Sequence, residues 1–347
     1  MICIGNRNCE MNLKKHPLVL INFCAVILIL WSAGCCYAQP LVVEKGEVSY
    51  VKSYPDKKML NKKRSFFKKI NDVVFGSSEI GIAKPVAILI DSLEHYWILD
   101  QEAKSIFEGD TKGYKVPKFI HKSEVDLASL VSICRYSDNS FLVTDSYLNK
   151  VFVLDPKEKK FYSLNDSLAF LRPTGIVYSP LTQKIWVAET GNHRLQILDK
   201  SGRVEKTIGT RGVGRGEFNF PTSMAIDNEG NVYVVDAMNF RIEIFNKEGE
   251  FLSMFGENGD GTGSFASPKG IALDSYNNIY VVDALFNVVQ IFDKKGNFLY
   301  NFGSQGQGDG QFWMPSGIFI DKNDHIFIAD TYNSKIQEFQ LKIEVKK

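Results

Sequence analysis

The chain reads as an all-β protein built from repeated four-stranded units, a propeller or a solenoid. Three observations predict it: apolar segments recur at one spacing, each repeat divides into four short strand-like runs, and polar turns separate those runs. The segments PVAILID, PTGIVY, PTSMAID, PKGIALD and PSGIFID begin at Pro85, Pro173, Pro221, Pro268 and Pro315. Each is followed by an apolar run closing on an acid, namely YWILD, IWVAE, VYVVD, IYVVD and IFIAD, ending at Asp100, Glu189, Asp236, Asp283 and Asp330. A sixth copy lacks its proline and reads LVSICRY followed by FLVTD, ending at Asp145. Successive acids are 45, 44, 47, 47 and 47 residues apart. Six copies of short strands at this period mean a propeller or solenoid.

Within the fifth copy, GIAL, IYVV, VVQIF and FLYNF are rich in β-branched and aromatic residues, and DSYNN, DALFN and DKKGN separate them as turns. Four strands make one blade. Three residues before each acid stands a large apolar residue: Trp97, Leu142, Trp186, Tyr233, Tyr280 and Phe327. This column is expected to pack against the neighbouring unit, because each sheet must bury its faces against another.

The stretch AETGNHRLQILD at 188–199, followed by GVGRGEFNFP at 212–221, is similar to the NHL-repeat family, with Asn192-His193-Arg194-Leu195 at the signature. The similarity covers residues 85–341 and is strongest in copies three to six. It implies a six-bladed β-propeller of four-stranded blades. With FFKKINDVVFG ahead of the first blade, the chain also resembles exported bacterial members of that family.

Counting strands leaves blade six one short, since KIQEFQL at 335–341 is its third and only KIEVKK follows. The N-terminal run EVSYVKSY at 47–54 is preceded by Gly46, as EFLSMF is by Gly249 and NFLYNF by Gly296. Residues 47–54 are therefore expected to complete the last blade and close the ring, removing two exposed edges. Between this strand and blade one, Phe66, Phe67, Ile70, Val73 and Val74 recur at helical spacing among basic residues, with Gly76 as a C-cap. That predicts a short amphipathic helix at 57–75. Residues 41–75 carry nine Lys/Arg and four Asp/Glu. The helix either packs on the propeller or lies on an anionic membrane surface.

Lys14, Lys15 and His16 precede an apolar run from Pro17 to Trp31 and then small residues, the order of an export signal. Its charged segment begins naturally at Met11, which is expected to be the true start. Cleavage before Gln39 suits an ordinary signal peptidase, whereas Ser32-Ala33-Gly34-Cys35 resembles a lipobox with Cys35 acylated. The expected organisation is a signal at 1–38, the closing strand and helix at 39–76, and the propeller at 77–347. Its expected location is the bacterial periplasm, or the outer membrane through a lipid at Cys35. Five cysteines lie in or beside the signal, leaving Cys134 alone in the body, so no disulfide framework exists. Cys134 sits in an apolar run and reads as a small buried hydrophobe.

From Gln39 onward the chain has 38 basic and 39 acidic residues, which argues against nucleic-acid binding. The recurring acids invite a calcium or catalytic reading, but a residue repeated in every blade serves something each blade needs, and hydrogen bonding to the turn behind it is the better reading. No cofactor is called for. His193 belongs to the repeat signature, while His95, His121 and His325 occupy unlike positions and assemble no metal site. GTRGVGRG, GENGDGTG and GSQGQGDG connect two strands, so they are not phosphate loops.

What remains is the face carrying the loops after the acids. Tyr147, Met238, Leu285, Phe286 and Tyr332 at the loop tips, with Trp313 in the adjoining FWMP loop, are the candidate partner-binding residues. Met314 and Phe220 adjoin them. Two functional classes follow. The first is a non-catalytic scaffold presenting this face to a protein, peptide or glycan. The second is a lyase or lactonase like other six-bladed propeller enzymes, with a metal in the central channel. The residues after each proline (Val86, Thr174, Thr222, Lys269 and Ser316) are poor metal ligands and favour the first.

Overall fold

The computed structural model describes residues 43–54, 82–111, 118–120, 126–137 and 140–345. The expected signal with Cys35, the expected helix at 57–75, and His121 lie outside the described residues. Six four-stranded antiparallel sheets make up the fold. The innermost strands are Pro85–Ile90, Leu130–Ser137, Pro173–Ser179, Pro221–Ile226, Pro268–Leu273 and Ile318–Ile320. The second strands are His95–Asp100, Ser140–Asp145, Lys184–Glu189, Val232–Asp236, Ile279–Asp283 and His325–Asp330, each pairing with the first.

One register repeats around the ring. Pro85 pairs with Asp100, Pro173 with Glu189, Pro221 with Asp236 and Pro268 with Asp283, each followed by a bulge in the inner strand. Proline tolerates this place because a strand's first residue need not donate to the ladder. The consequence is functional: the loops after all six acids emerge on one face, at the end where the inner strands begin.

Burial follows the predicted column. Trp186 packs with Phe218, Met224 and Val234 of the next blade, and Tyr233 with Phe265, Ile271 and Val281. Trp97 meets Phe141 at 4.9 Å between ring centroids, and Leu142 lies among Ile176 and Val187. Adjacent blades thus share one apolar layer. Small residues let inner strands approach: a Cβ at Gly175 would lie 2.3 Å from the Thr222 carbonyl oxygen, and one at Gly270 2.4 Å from that of Ser316. The glycine-rich loops before blades four to six are plugged by Phe218, Phe265 and Phe312, all fully buried.

Blade six takes its outermost strand from the N-terminal side. The strand Val43–Tyr54 lies beside Lys335–Val345, so both strands run longer than the 47–54 and 335–341 read from the sequence. Among the described residues, 48–341 belong to one compact unit, and 43–47 with 342–345 to another. Tyr54 is buried against Tyr96 and Phe327, and its hydroxyl donates to the Glu338 carboxylate. Blade six joins blade one through hydroxyls as well: Thr331 Oγ1 donates to the Pro85 carbonyl at 2.9 Å and Ser316 Oγ to that of Val86 at 3.2 Å.

Candidate functional site

The six acids are buried, with their oxygens turned towards the backbone of the loops. Asp145 accepts from the Ala128 and Ser129 amides on Oδ2 (2.8 and 3.0 Å) and from those of Tyr147 and Leu148 on Oδ1 (3.0 and 2.9 Å). Asp100 accepts from Ala83, Lys84 and Ala103. Asp283 accepts from Ala266, Ser267 and Phe286. In blades three, four and six a tip asparagine folds back instead: Asn192, Asn239 and Asn333 donate to Glu189, Asp236 and Asp330 at 2.7, 2.6 and 2.8 Å. Each carboxylate ties the loop before a blade to the turn after its second strand.

The residue four positions after each acid has positive φ, and in four blades its side chain hydrogen-bonds to the next blade, Ser334 Oγ donating to the Ala83 carbonyl at 2.6 Å. His193 Nδ1 accepts from the Phe220 amide at 3.1 Å and its ring packs on the Phe220 ring at 4.4 Å. Asn149 accepts from Arg172 and Asn287 from Met314, both at 2.8 Å. The signature histidine is therefore an inter-blade clasp. Phe220, half-buried by that contact, belongs to the clasp and not to an exposed patch. His95 and His325 sit instead at hairpin turns on the opposite face, with Nδ1 3.6 and 3.1 Å from Asp91 and Asp321.

Blade four carries a charge cluster that sequence reading overlooked. Buried Arg241 donates Nε to Asp236 at 2.9 Å, pairs with Glu243 at 2.5 Å, and donates to the carbonyls of Val213, Gly214 and Glu217. One guanidinium cannot balance two buried carboxylates fully. Desolvation raises Asp236 above its usual range and pushes Glu243 up to about 7, against the pull of Arg241. Gln290 and Gln337 hold the equivalent place in blades five and six without charge. Because the folded chain binds this proton more tightly, its contribution to stability is full below the ordinary glutamate range and is lost as pH rises through about 7. Glu243→Gln is expected to flatten that decline. In thermal unfolding from pH 5 to 8 the variant should gain on the parent as pH rises, and a parallel pH dependence would contradict the assignment.

The loop tips divide. Tyr147, Met238, Leu285, Trp313 and Tyr332 are 75, 53, 58, 43 and 52% exposed, whereas Phe286 is half-buried. Trp313 and Tyr332 stand 5.9 Å apart between ring centroids, and Lys84 Nζ lies 5.8 Å over the Tyr332 ring. Leu171, two residues before Pro173 as Trp313 is before Pro315, is also exposed on this face. Its equivalence to Trp313 was the signal available in the sequence.

Tyr332, Met314, Gln101 and Ala284 reach the mouth of a central cavity of about 690 Å³ walled by the inner strands. Among the described residues no Asp, Glu or His lines it, and its ionised side chains are Lys269 and Arg135. Cys134, read from the sequence as a small buried hydrophobe, is half-buried in its wall, and desolvation pushes its thiol up to about 12, which keeps it neutral. Two cations and a neutral thiol do not fit a divalent metal, which requires carboxylates, carbonyl groups or imidazoles turned inward. Among the described residues no cluster of His, Cys, Asp and Glu could hold a metal ion.

A family model described as a 6-bladed beta-propeller (DUF5128) matches residues 165–242, 229–289 and 276–346, together just over half of the chain. The chain belongs to this family. No curated protein matches the propeller's sequence. Solved structures share its fold at low identity. An auxiliary nutrient binding protein from Bacteroides thetaiotaomicron aligns with TM-score 0.61 and 14% identity over 75% of this chain and 70% of its own. Virginiamycin B lyase from Staphylococcus aureus aligns with TM-score 0.55 and 14% identity over 86% and 100%. A chain of the nidogen/laminin complex aligns with TM-score 0.52 and 18% identity over 63% and 80%. Binding proteins and an enzyme thus share this architecture, so function has to be argued from this propeller's own residues.

Proposed function

We propose that the protein is a non-catalytic, exported propeller scaffold that holds a protein, peptide or glycan partner on its loop face. The observation that carries this reading is the set of large apolar side chains exposed on one face, among them Trp313 against Tyr332, whose ring reaches the cavity mouth. Turn tips are normally polar, and exposed aromatics on one side of a rigid scaffold are the usual anchors of an interface. The acids are engaged with the turns, which favours binding over metal-dependent lyase or lactonase chemistry. The basic, apolar, cleavable order of residues 14–38 supports export to the periplasm, or anchoring at the outer membrane if Cys35 is acylated. Near-zero net charge speaks against a nucleic-acid partner.

The test is capture of a cell-envelope partner by purified protein carrying Tyr147→Ala, Leu285→Ala, Trp313→Ala or Tyr332→Ala. At least one of these should weaken capture roughly tenfold or more, with melting temperatures near the parent's. Phe286→Ala is a poor probe because its ring is already half-buried. Full capture by a variant combining all four would contradict the proposal.

A further inference from the structure

We propose that the central cavity is a second binding site, adjoining the loop-face partner surface at Tyr332, and takes a small amphipathic carboxylic acid whose carboxylate pairs with Lys269. The cavity, about 690 Å³, has the size of a small-molecule site. Lys269 follows Pro268, the residue paired with Asp283, so it stands near the mouth on the loop face. It is exposed within the lining, and among the described residues no carboxylate pairs with it. Thr174, Thr222 and Ser316 occupy the equivalent place in blades three, four and six and surround the mouth with hydroxyls. Thr174 and Ser316 are bonded to Thr190 and Thr331, but the Thr222 hydroxyl is buried with no hydrogen-bond partner, because Ala237 stands where Thr190 and Thr331 do. With two of these hydroxyls bonded and the third buried, the exposed Lys269 ammonium is the group at the mouth left to receive an anionic oxygen group.

The rest of the lining selects what that group is attached to. Ile226, Leu273 and Ile320 line the far end of the cavity, with Tyr178 and Cys134, so an anion without an apolar body would leave this wall without contacts. Arg135 also lies at the far end, but it donates to the Ile90 carbonyl at 2.5 Å and is shared with a smaller cavity between blades one and two. A concave site whose ionised groups are all cationic concentrates anions at its mouth.

The experiment uses the propeller with its closing strand and three probes of one shape, 4-phenylbutyrate, 4-phenylbutanamide and 4-phenylbutylamine, with binding read by calorimetry. The acid is expected to bind at least about tenfold more tightly than the amide, and the amine not at all. Lys269→Met should remove the preference for the acid while leaving the melting temperature unchanged, and Lys269→Arg should retain it. Arg135→Gln should leave it intact. No binding of the acid, equal binding of acid and amide, a preference that survives Lys269→Met, or a preference lost in Arg135→Gln would each overturn the proposal. Inorganic sulfate competing as well as the acid would also overturn it, because it carries no apolar body. Tyr147→Ala and Leu285→Ala, at tips that do not line the cavity, would separate this site from the loop-face reading if they lose the protein partner but keep the acid preference, so either can fail alone.

Discussion

A chain lacking the strand Val43–Tyr54 is expected to melt at least about 10 °C lower than the parent and to aggregate. The deletion strips blade six of its outer strand and leaves the edge of Lys335–Val345 open. It also removes the Tyr54 ring from between Tyr96 and Phe327, and leaves the buried Glu338 without the hydroxyl that donates to it. Lys52, which donates Nζ to the Thr111 carbonyl at 2.6 Å, ties the same strand to blade one, so its loss loosens the joint where the ring closes. Tyr54→Ala isolates the packing part and should cost about 3–5 kcal/mol, as large aromatic truncations do. An unchanged thermal transition in the deletion would refute this account of closure.

Removing an acid is expected to cost nearly as much. Asp283→Ala leaves the amides of Ala266, Ser267 and Phe286 without their acceptor, at about 1–3 kcal/mol for each group that stays dry. Asp283→Asn should recover part of that loss, because one amide oxygen can still accept. Asp236→Ala should cost less than Asp283→Ala. It takes away one of two carboxylates sharing Arg241, so Glu243 can ionise and offset the loss. Chemical denaturation of the three variants checks the order, and a loss smaller for Asp283→Ala than for Asp236→Ala would contradict the hydrogen-bond assignment.

The fold was legible because its rules repeat. Pro85, Pro173, Pro221 and Pro268 mark strand starts, and the column from Trp97 to Phe327 marks the faces between blades. Even the closing strand announced itself by a missing partner, although periodicity placed its start and the end of its neighbour several residues short of the observed ladder. The site was legible only in part, because periodicity says which residues are equivalent and not what they meet across the ring. Glu243 looked like an ordinary strand residue until Arg241 was seen between it and Asp236. Lys269 stood out only as a poor metal ligand, and its place in a cavity without carboxylates follows from the inward face of six strands together. Phe220 and Phe286 looked like exposed tips, but the clasp on His193 and the turn on Asp283 draw them in.

The claim at the centre of this account is that the ring of acids builds the turns and the exposed tips do the binding. Thermal unfolding of Asp283→Ala beside Tyr332→Ala, with metal content measured on both and on the parent, tests it most directly. The account predicts a markedly lowered transition for Asp283→Ala, an unchanged one for Tyr332→Ala, and no stoichiometric metal in any of the three. A folded Asp283→Ala that has lost a metal ion present in the parent, beside a Tyr332→Ala that no longer folds, would contradict it and give the metal-dependent reading the lead.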